Sequence, residues 1–275
     1  MGGLVWLASY PKSGNTWLRA FLHNLIKNQD EPVNINDMMQ LSVGDTLKEW
    51  YAEAAGSDLD ALSDDQLAKL RPIVHQRFTE LSANSVFVKT HNFLGIDRGI
   101  PLITLEVTVG AIYVVRNPLD LVLSLASHFG LSIDAAIELM ASENGGSPAD
   151  RANIGQRFSS WSSNVKSWTR QANDALHIVR YEDMHLSPPE TFTGIAGFLG
   201  LDGDSERVER AIRFSSFDVL RQQEDDHDFR ERSMHADKFF RAGKTGVWKT
   251  KLSSKQVQSI VAGHRDQMAR FDYLP

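Results

Sequence analysis

The chain has no cysteine at all, which excludes disulfides, zinc–thiolate sites, iron–sulfur clusters and a cysteine nucleophile. Only histidines and carboxylates are left as metal ligands. Basic residues are in deficit: 29 Lys and Arg against 35 Asp and Glu leave a formal charge of −6, the wrong sign for a protein that works by neutralising nucleic-acid phosphates. A local basic pocket is still compatible with that balance. Long apolar runs are missing too, none approaching the roughly 18 residues of a membrane span. The apolar run Leu4–Ser9 has no basic leader and is ended by Tyr10-Pro11 too early for a secretory signal. A cytoplasmic protein with no membrane and no nucleic-acid partner is therefore expected. The scattered histidines His23, His75, His128, His227 and His235 show neither HExxH nor two-His-one-carboxylate spacing, so no metal is expected.

What is present is ordinary globular material. The 275 residues are 42% hydrophobic and 23% charged, with 19 Gly and 9 Pro, which excludes wholesale disorder and collagen and leaves ample chain for a core. No repeat, low-complexity tract or proline-rich linker divides it, so 1–275 reads as a single domain.

Four short runs, Leu4–Ser9, Val86–Thr90, 111–115 and 177–180, are rich in β-branched or aromatic residues and read as strands buried on both faces. Helical spacing lies between them at 16–27, 119–129, 158–172 and 190–199. A last helix is expected over 254–271, opened by Ser253 with Gln256 three residues on, the spacing of a capping box. Alternating strands and helices predict an α/β fold, a central parallel sheet flanked by helices. Two stretches read as mobile loops or lids: 142–156, containing Gly145-Gly146-Ser147-Pro148, and the charge-crowded 221–236. Their reach is taken as about 131–156 and 221–242.

Tyr10-Pro11-Lys12-Ser13-Gly14-Asn15-Thr16-Trp17 falls between the first strand and the first helix. Backbone N–H groups at a helix N-terminus favour an anion. Lys12 adds positive charge, Gly14 allows close backbone approach, and the Ser13 and Thr16 hydroxyls add donors, so a phosphate is expected here. The lysine precedes the glycine, the reverse of GxxxxGK[ST], which removes the main support for a generic ATPase. A plain strand-to-helix turn uses the same residue types.

The whole string, strand included, resembles the 5′-phosphosulfate loop of sulfotransferases that use 3′-phosphoadenosine 5′-phosphosulfate (PAPS), with Asn15 where that family usually has Thr. The resemblance implies that Lys12 contacts the 5′-phosphate and the leaving oxygen. It also places Ser13, Gly14, Asn15 and Thr16 in the cofactor site and Trp17 on the adenine, although core packing explains Trp17 as well. Further motifs occur in the family's order. Val86-Phe87-Val88-Lys89-Thr90-His91 resembles the strand that delivers the catalytic base, which implies His91 as general base and Lys89 as a helper; Asn92-Phe93 stands where Leu-Pro is common. Tyr113-Val114-Val115-Arg116-Asn117-Pro118-Leu119-Asp120, with Ser124 eight residues after Arg116, resembles the 3′-phosphate motif; a strand-end salt bridge of Arg116 with Asp120 and helix packing of Ser124 are the plain alternatives. Tyr181 in Tyr181-Glu182-Asp183 would reach the adenine. Ser215 and Phe217 of Ser215-Ser216-Phe217 would close over the base, although helix capping and core packing explain this tripeptide equally well. Phe240-Arg241-Ala242-Gly243-Lys244-Thr245-Gly246-Val247-Trp248-Lys249 resembles the RxGxxGxWK element over the 3′-phosphate. There Arg241 would bind phosphate, Gly243 would offer its N–H, and Ala242 replaces a common lysine.

The resemblance thus implies a P-loop NTPase-like sulfotransferase domain that uses PAPS as co-substrate, needs no metal, and moves a sulfonate in line to the hydroxyl of a small-molecule or natural-product acceptor. The wording is nearest to bacterial sulfotransferases of secondary metabolites and glycopeptides. Two rival readings are a P-loop-type kinase or NTPase and a non-catalytic PAPS-binding protein. The acceptor region falls in 33–85 and 131–156, where no motif is legible; the apolar stretch 131–140 fits a hydrophobic acceptor or an ordinary packed helix equally. The family's dimer motif is not recognisable in 249–258, so the oligomeric state stays open.

Overall fold

Strand β1 (Leu4–Ser9) is buried at every position, and a strand of that kind must lie inside a sheet covered on both faces. The computed structural model describes residues 2–171, 173–240 and 243–275. β1 is succeeded along the chain by β2 (Ser42–Gly44), β3 (Val86–Thr90), β4 (Ile96–Asp97), β5 (Ile100–Pro101), β6 (Thr108–Val115), β7 (Gly146–Ser147), β8 (Gln156–Arg157) and β9 (Leu176–Arg180). Five of these form one parallel sheet in the order β2-β3-β1-β6-β9. The pairs β4–β5 and β7–β8 are small antiparallel ladders outside it. All four expected strands lie in the sheet. The fifth, β2, is a three-residue edge strand, too short to show alternation.

Twelve α-helices are present among the described residues, six between strands and six after the last: α1 (Asn15–Lys27), α2 (Lys48–Ala55), α3 (Asp64–Phe78), α4 (Pro118–Phe129), α5 (Ile133–Ala141) and α6 (Trp161–Thr169), then α7 (Tyr181–Leu186), α8 (Pro188–Phe198), α9 (Ser205–Phe214), α10 (Phe217–His227), α11 (Trp248–Lys251) and α12 (Ser254–Arg270). Successive strand residues face opposite ways, so each strand feeds two cores. On one side Leu4, Trp6, Ala8, Val88 and Tyr113 pack with residues of α3, α4, α6 and α12. On the other, Leu7, Ile112, Val114 and Val179 pack with Phe21 and Leu22 of α1 and with α8 and α9. Trp6 needs a partner for its indole N–H in this dry setting, and Nε1 donates to Thr108 Oγ1 at 2.8 Å.

The Ser253–Gln256 capping box forms as expected. Three expectations change. The loop reach taken from 131 contains α5, opened by Ser132, whose hydroxyl accepts from Ala135 N, and carried by the apolar residues Ala136 and Met140 buried in the core. The helix read at 158–172 begins only at Trp161, because Ser159 sits at φ 59 and the Ser160 hydroxyl caps the chain by accepting from Ser163 N. The segment read as a loop from 221 is helical as far as His227, continuing from the apolar anchors Phe217 and Leu220 just ahead of it. Among the described residues no single helix is long and apolar enough to cross a membrane.

Three histidines, His23, His75 and His264, are at most 2% exposed. Burial lowers the pKa of each, to about 3 for His75 and about 4 for His264. His75 Nδ1 lies 2.8 Å from Thr104 Oγ1, and the ring stands edge-on to Trp6. Below about pH 6.5 the unfolded chain therefore binds more protons than the native one, and stability falls as pH drops toward the depressed values of His75 and His264, by up to about 1.4 kcal/mol per pH unit for each of those two, with His23 acting in the same direction. Urea midpoints are expected to fall from pH 7 to pH 5.5 at constant slope, and His75→Gln to remove about one proton's share of that fall. A pH-independent midpoint over this range would contradict the buried neutral histidines.

Candidate functional site

In a parallel sheet the loops leaving the strands' carboxyl ends share one edge. Where the chain turns to opposite sides of β1, those loops frame a crevice. The loops after β1, β3 and β6 meet here, around a cleft of about 1210 Å³ lined by Lys12, Trp17, Lys89, His91, Arg116 and Ser124 among others.

The loop after β1 is tightly wound. Lys12 has φ 67, and Gly14, the residue before α1, has φ 108. A Cβ on Gly14 would lie 2.5 Å from Tyr181 Cδ2, so both backbone and space demand glycine. Ser13 Oγ and Trp17 Nε1 are buried with no hydrogen-bond partner among the described residues, donors of the kind that wait for a ligand. Asn15 faces partly inward: its Nδ2 donates to Leu7 O at 2.8 Å and to Ser9 Oγ at 3.4 Å, stapling the loop to β1. Thr16 lines the cleft.

His91 comes directly after β3, and its Nδ1 lies 2.9 Å from Ser9 O and 3.2 Å from Ser9 Oγ. A carbonyl only accepts, so Nδ1 carries the proton and Nε2 keeps a lone pair. Among the described residues no hydrogen bond engages Nε2. Burial, helped by the Lys89 charge, holds His91 well below the ordinary imidazole pKa. Lys89 also lines the cleft; burial lowers its pKa, against the opposing pull of Glu231 and Asp45.

The backbone around His91 is clamped from behind. Asp45, 2% exposed, accepts at Oδ2 from Thr90 Oγ1 at 2.6 Å and from Asn92 Nδ2 at 2.9 Å, the two residues flanking His91. Asn164 Nδ2 donates to His91 O, and Trp168 Nε1 to Asn92 O. Asn92 thus anchors the turn where a Leu-Pro was absent from the sequence.

Arg116 NH1 donates to Lys12 O at 2.9 Å, and its guanidinium lies over the Tyr181 ring at 4.2 Å, with buried Nε unpartnered. Arg116 forms no ion pair with Asp120, whose carboxylate instead accepts from Gly246 N and Trp248 N and so shapes the glycine-rich loop. Tyr181 stands edge-on to Trp17, 5.9 Å between centroids. Gly243 has φ 54 and no room for a Cβ, which would lie 2.6 Å from the Phe217 ring. Phe217, Gly243 and Ser124 line the cleft. Ser215 does not: it is fully buried, and its hydroxyl donates to Ala211 O at 2.8 Å, the usual bond of a serine at a helix end. Arg241 and Ala242 lie outside the described residues.

Several cleft residues escaped the sequence. Arg19 is buried; its Nε donates to Ser42 Oγ, and NH1 forms an ion pair with Glu231 at 2.8 Å. Phe239 covers Lys12, with Nζ 3.8 Å from the ring centroid. Glu224 holds that segment by accepting from Phe239 N and Phe240 N. His128 lines the cleft, one helical turn beyond Ser124 on α4; that i, i+4 spacing was the available signal. Among the described residues no group of three or more His, Asp and Glu side chains is placed to hold a metal ion.

The sulfotransferase domain family matches residues 3–272. Sulfotransferase 1A1 of Canis lupus familiaris is 23% identical over 279 residues, covering 95% of this chain and 82% of its own. Among solved structures, mouse sulfotransferase SULT7A1 complexed with PAP superposes with a TM-score of 0.61 at 19% identity over 97% of this chain and 84% of its own. Retinol dehydratase in complex with androsterone and inactive cofactor PAP gives 0.65 at 18% identity over 96% and 80%.

Two outcomes are expected from this geometry. Gly14→Ala should cost about 1–3 kcal/mol in urea unfolding, and less in a Tyr181→Ala background, where the ring it meets is gone; equal costs in both would refute the close approach. Nitrogen-15 spectra of the ligand-free protein, assigned by His91→Gln, should show His91 as the neutral Nδ1–H tautomer at pH 6, where an ordinary histidine is largely protonated. A charged ring at that pH would contradict the buried geometry.

Proposed function

The chain belongs to the sulfotransferase domain family, and from that premise we propose that it transfers a sulfonate from PAPS to the hydroxyl of a small-molecule acceptor. The observation that carries the reading is the meeting, in one cleft, of a glycine-bearing loop with Lys12 and a neutral His91 whose Nε2 is unengaged. PAP in the related structures supports the choice of nucleotide.

The residues fit such a donor. The buried Ser13 Oγ, Trp17 Nε1 and Arg116 Nε, unpartnered among the described residues, are donors in need of acceptors, and Gly14 and Gly243 let their loops lie directly against the Tyr181 and Phe217 rings that line the cleft. Lys12, Ser13, Gly14 and Thr16 would hold the 5′-phosphate, with Asn15 securing their loop. Arg116, Ser124, Gly243 and Arg241 would hold the 3′-phosphate, where a guanidinium can grip two oxygens. Trp17, Tyr181 and Phe217 would border the adenine, and Ser215 would support that wall from within.

PAPS supplies an activated sulfonate on a good leaving phosphate. His91 Nε2 takes the proton of the acceptor hydroxyl as its oxygen bonds to sulfur. Lys12 offsets the charge left on the phosphate oxygen when the sulfur–oxygen bond breaks, and Lys89 steadies the reacting oxygens. Little covalent help is needed, because such transfers depend on alignment and charge stabilisation. The cleft has volume for a nucleotide and a second molecule. Its lining mixes Met39, Phe129 and Ile133 with Thr46, Asn153 and Gln156, which suits an acceptor with apolar and polar parts.

Calorimetric titration without metal is expected to give micromolar or tighter binding of 3′,5′-adenosine bisphosphate (PAP) and at least tenfold weaker binding of 5′-AMP. Arg116→Ala should narrow that gap, and His91→Ala should leave PAP affinity within a few-fold while abolishing transfer from radiolabelled PAPS to a panel of phenols and alcohols. Equal binding of the two nucleotides, or preference for ATP with magnesium, would overturn the reading.

A further inference from the structure

His128 enters neither the sequence motifs nor the roles assigned to the donor site, yet it lines the same cleft. It occupies the last turn of α4, on the same face as Ser124, and its ring is edge-on to Phe129 at 4.9 Å. Besides lining the main cleft, it borders a small recess together with Lys12, Ser124 and Phe239. Its backbone O accepts from Ser233 Oγ at 2.6 Å, which fixes the helix end against the covering segment. Among the described residues no hydrogen bond engages either ring nitrogen. The Lys12 and Lys89 charges, and less strongly His235, act on it, and its own field acts on His91.

That placement is informative. Lys12 marks the leaving side of the transfer and His91 the attacking side, on the loops after β1 and β3. His128, on α4, borders the small recess beside Lys12 and lines the same cleft as Lys89 and His91, so it faces the line joining the two sides from a third element. The atoms presented sideways from that line are the non-bridging oxygens of the group in flight, where transition-state charge accumulates. We propose that His128 is a further catalytic residue, donating a ring N–H to a non-bridging sulfonate oxygen during transfer. The assignment rests on the sulfonate-transfer reading of the cleft. His128 moves no proton: the hydroxyl proton goes to His91, the new bond joins the acceptor oxygen to sulfur, and the broken bond leaves its electron pair on the phosphate oxygen beside Lys12.

Burial and the two lysine charges lower the pKa of His128 to about 4. The ring is therefore neutral at pH 7, with one N–H to donate and no positive charge to compete with the lysines. A neutral imidazole in this position acts as a directed dipole.

Orthovanadate, which takes up a five-coordinate geometry like that of the sulfonate in flight, tests the assignment without knowledge of the acceptor. Its affinity for PAP-loaded protein is measured by calorimetry at pH 7.5 for wild type, His128→Phe, His128→Leu and His128→Gln, with melting curves as the folding check. The two variants lacking a donor should bind vanadate about ten- to a hundredfold more weakly, the range of a hydrogen bond to a charged group. His128→Gln should stay within about threefold of wild type, and PAP affinity should be unchanged in all. Unchanged vanadate affinity in a folded Phe or Leu variant overturns the assignment, as does loss of PAP affinity, which would place His128 in the nucleotide site. Wild type that binds PAP but no vanadate overturns it as well. Wild type that binds no PAP would instead defeat the sulfotransferase reading on which the assignment stands.

Discussion

One hydrogen bond ties the site to the sheet: His91 Nδ1 to the carbonyl of Ser9. It joins the ends of β1 and β3, strands already in register from Leu4 with Val86 to Ala8 with Thr90. Because a carbonyl cannot donate, this one contact decides which imidazole nitrogen is free and in which direction it faces. Everything around it defends that choice. Asn15 reaches back to Ser9 Oγ, Asp45 grips the residues on either side of His91, and Asn164 holds the His91 carbonyl. The loop after β1 and His91 are thereby parts of one hydrogen-bonded unit at the sheet's carboxyl edge.

Much of this was legible beforehand, for a physical reason. The central strands are short, continuous apolar runs, and the loops after them carry residues that backbone geometry or charge requires: Gly14 at positive φ, Lys12, His91, Arg116. Such requirements leave a local trace in the chain. What stayed hidden depends on distant partners. β2 is recognisable only through its pairing with β3. Asp45 looks like any loop aspartate until Thr90 and Asn92, more than 40 residues away in sequence, are brought to it. Arg19 and Glu231 are separated by 212 positions. Ser215 shows the opposite case: its tripeptide matched a motif, but helix termination turned the hydroxyl toward Ala211 O.

The segment covering the cleft is held mainly by polar anchors set in an aromatic pad. Glu231 pairs with buried Arg19, Glu224 accepts two consecutive backbone N–H groups, and Phe229, Phe239 and Phe240 pack on one another. Removing Glu231 would strand a buried guanidinium, a costly state. The covering segment is therefore coupled to the floor of the cleft by charge as well as by apolar contact.

Asp120, Ser124 and His128 lie at intervals of four along one face of α4, so about 6 Å of helix rise separates each from the next. The first secures the glycine-rich loop, and the other two look into the cleft. A single rigid rod thus acts as a ruler, spacing a loop anchor and two cleft-lining side chains by backbone geometry alone. Such a ruler confines evolutionary change: residues on its outer faces and in the flanking 131–156 and 228–240 segments can drift to suit a new acceptor, while insertion of even one residue into α4 would rotate every position beyond it by about 100° and dismantle the register of all three.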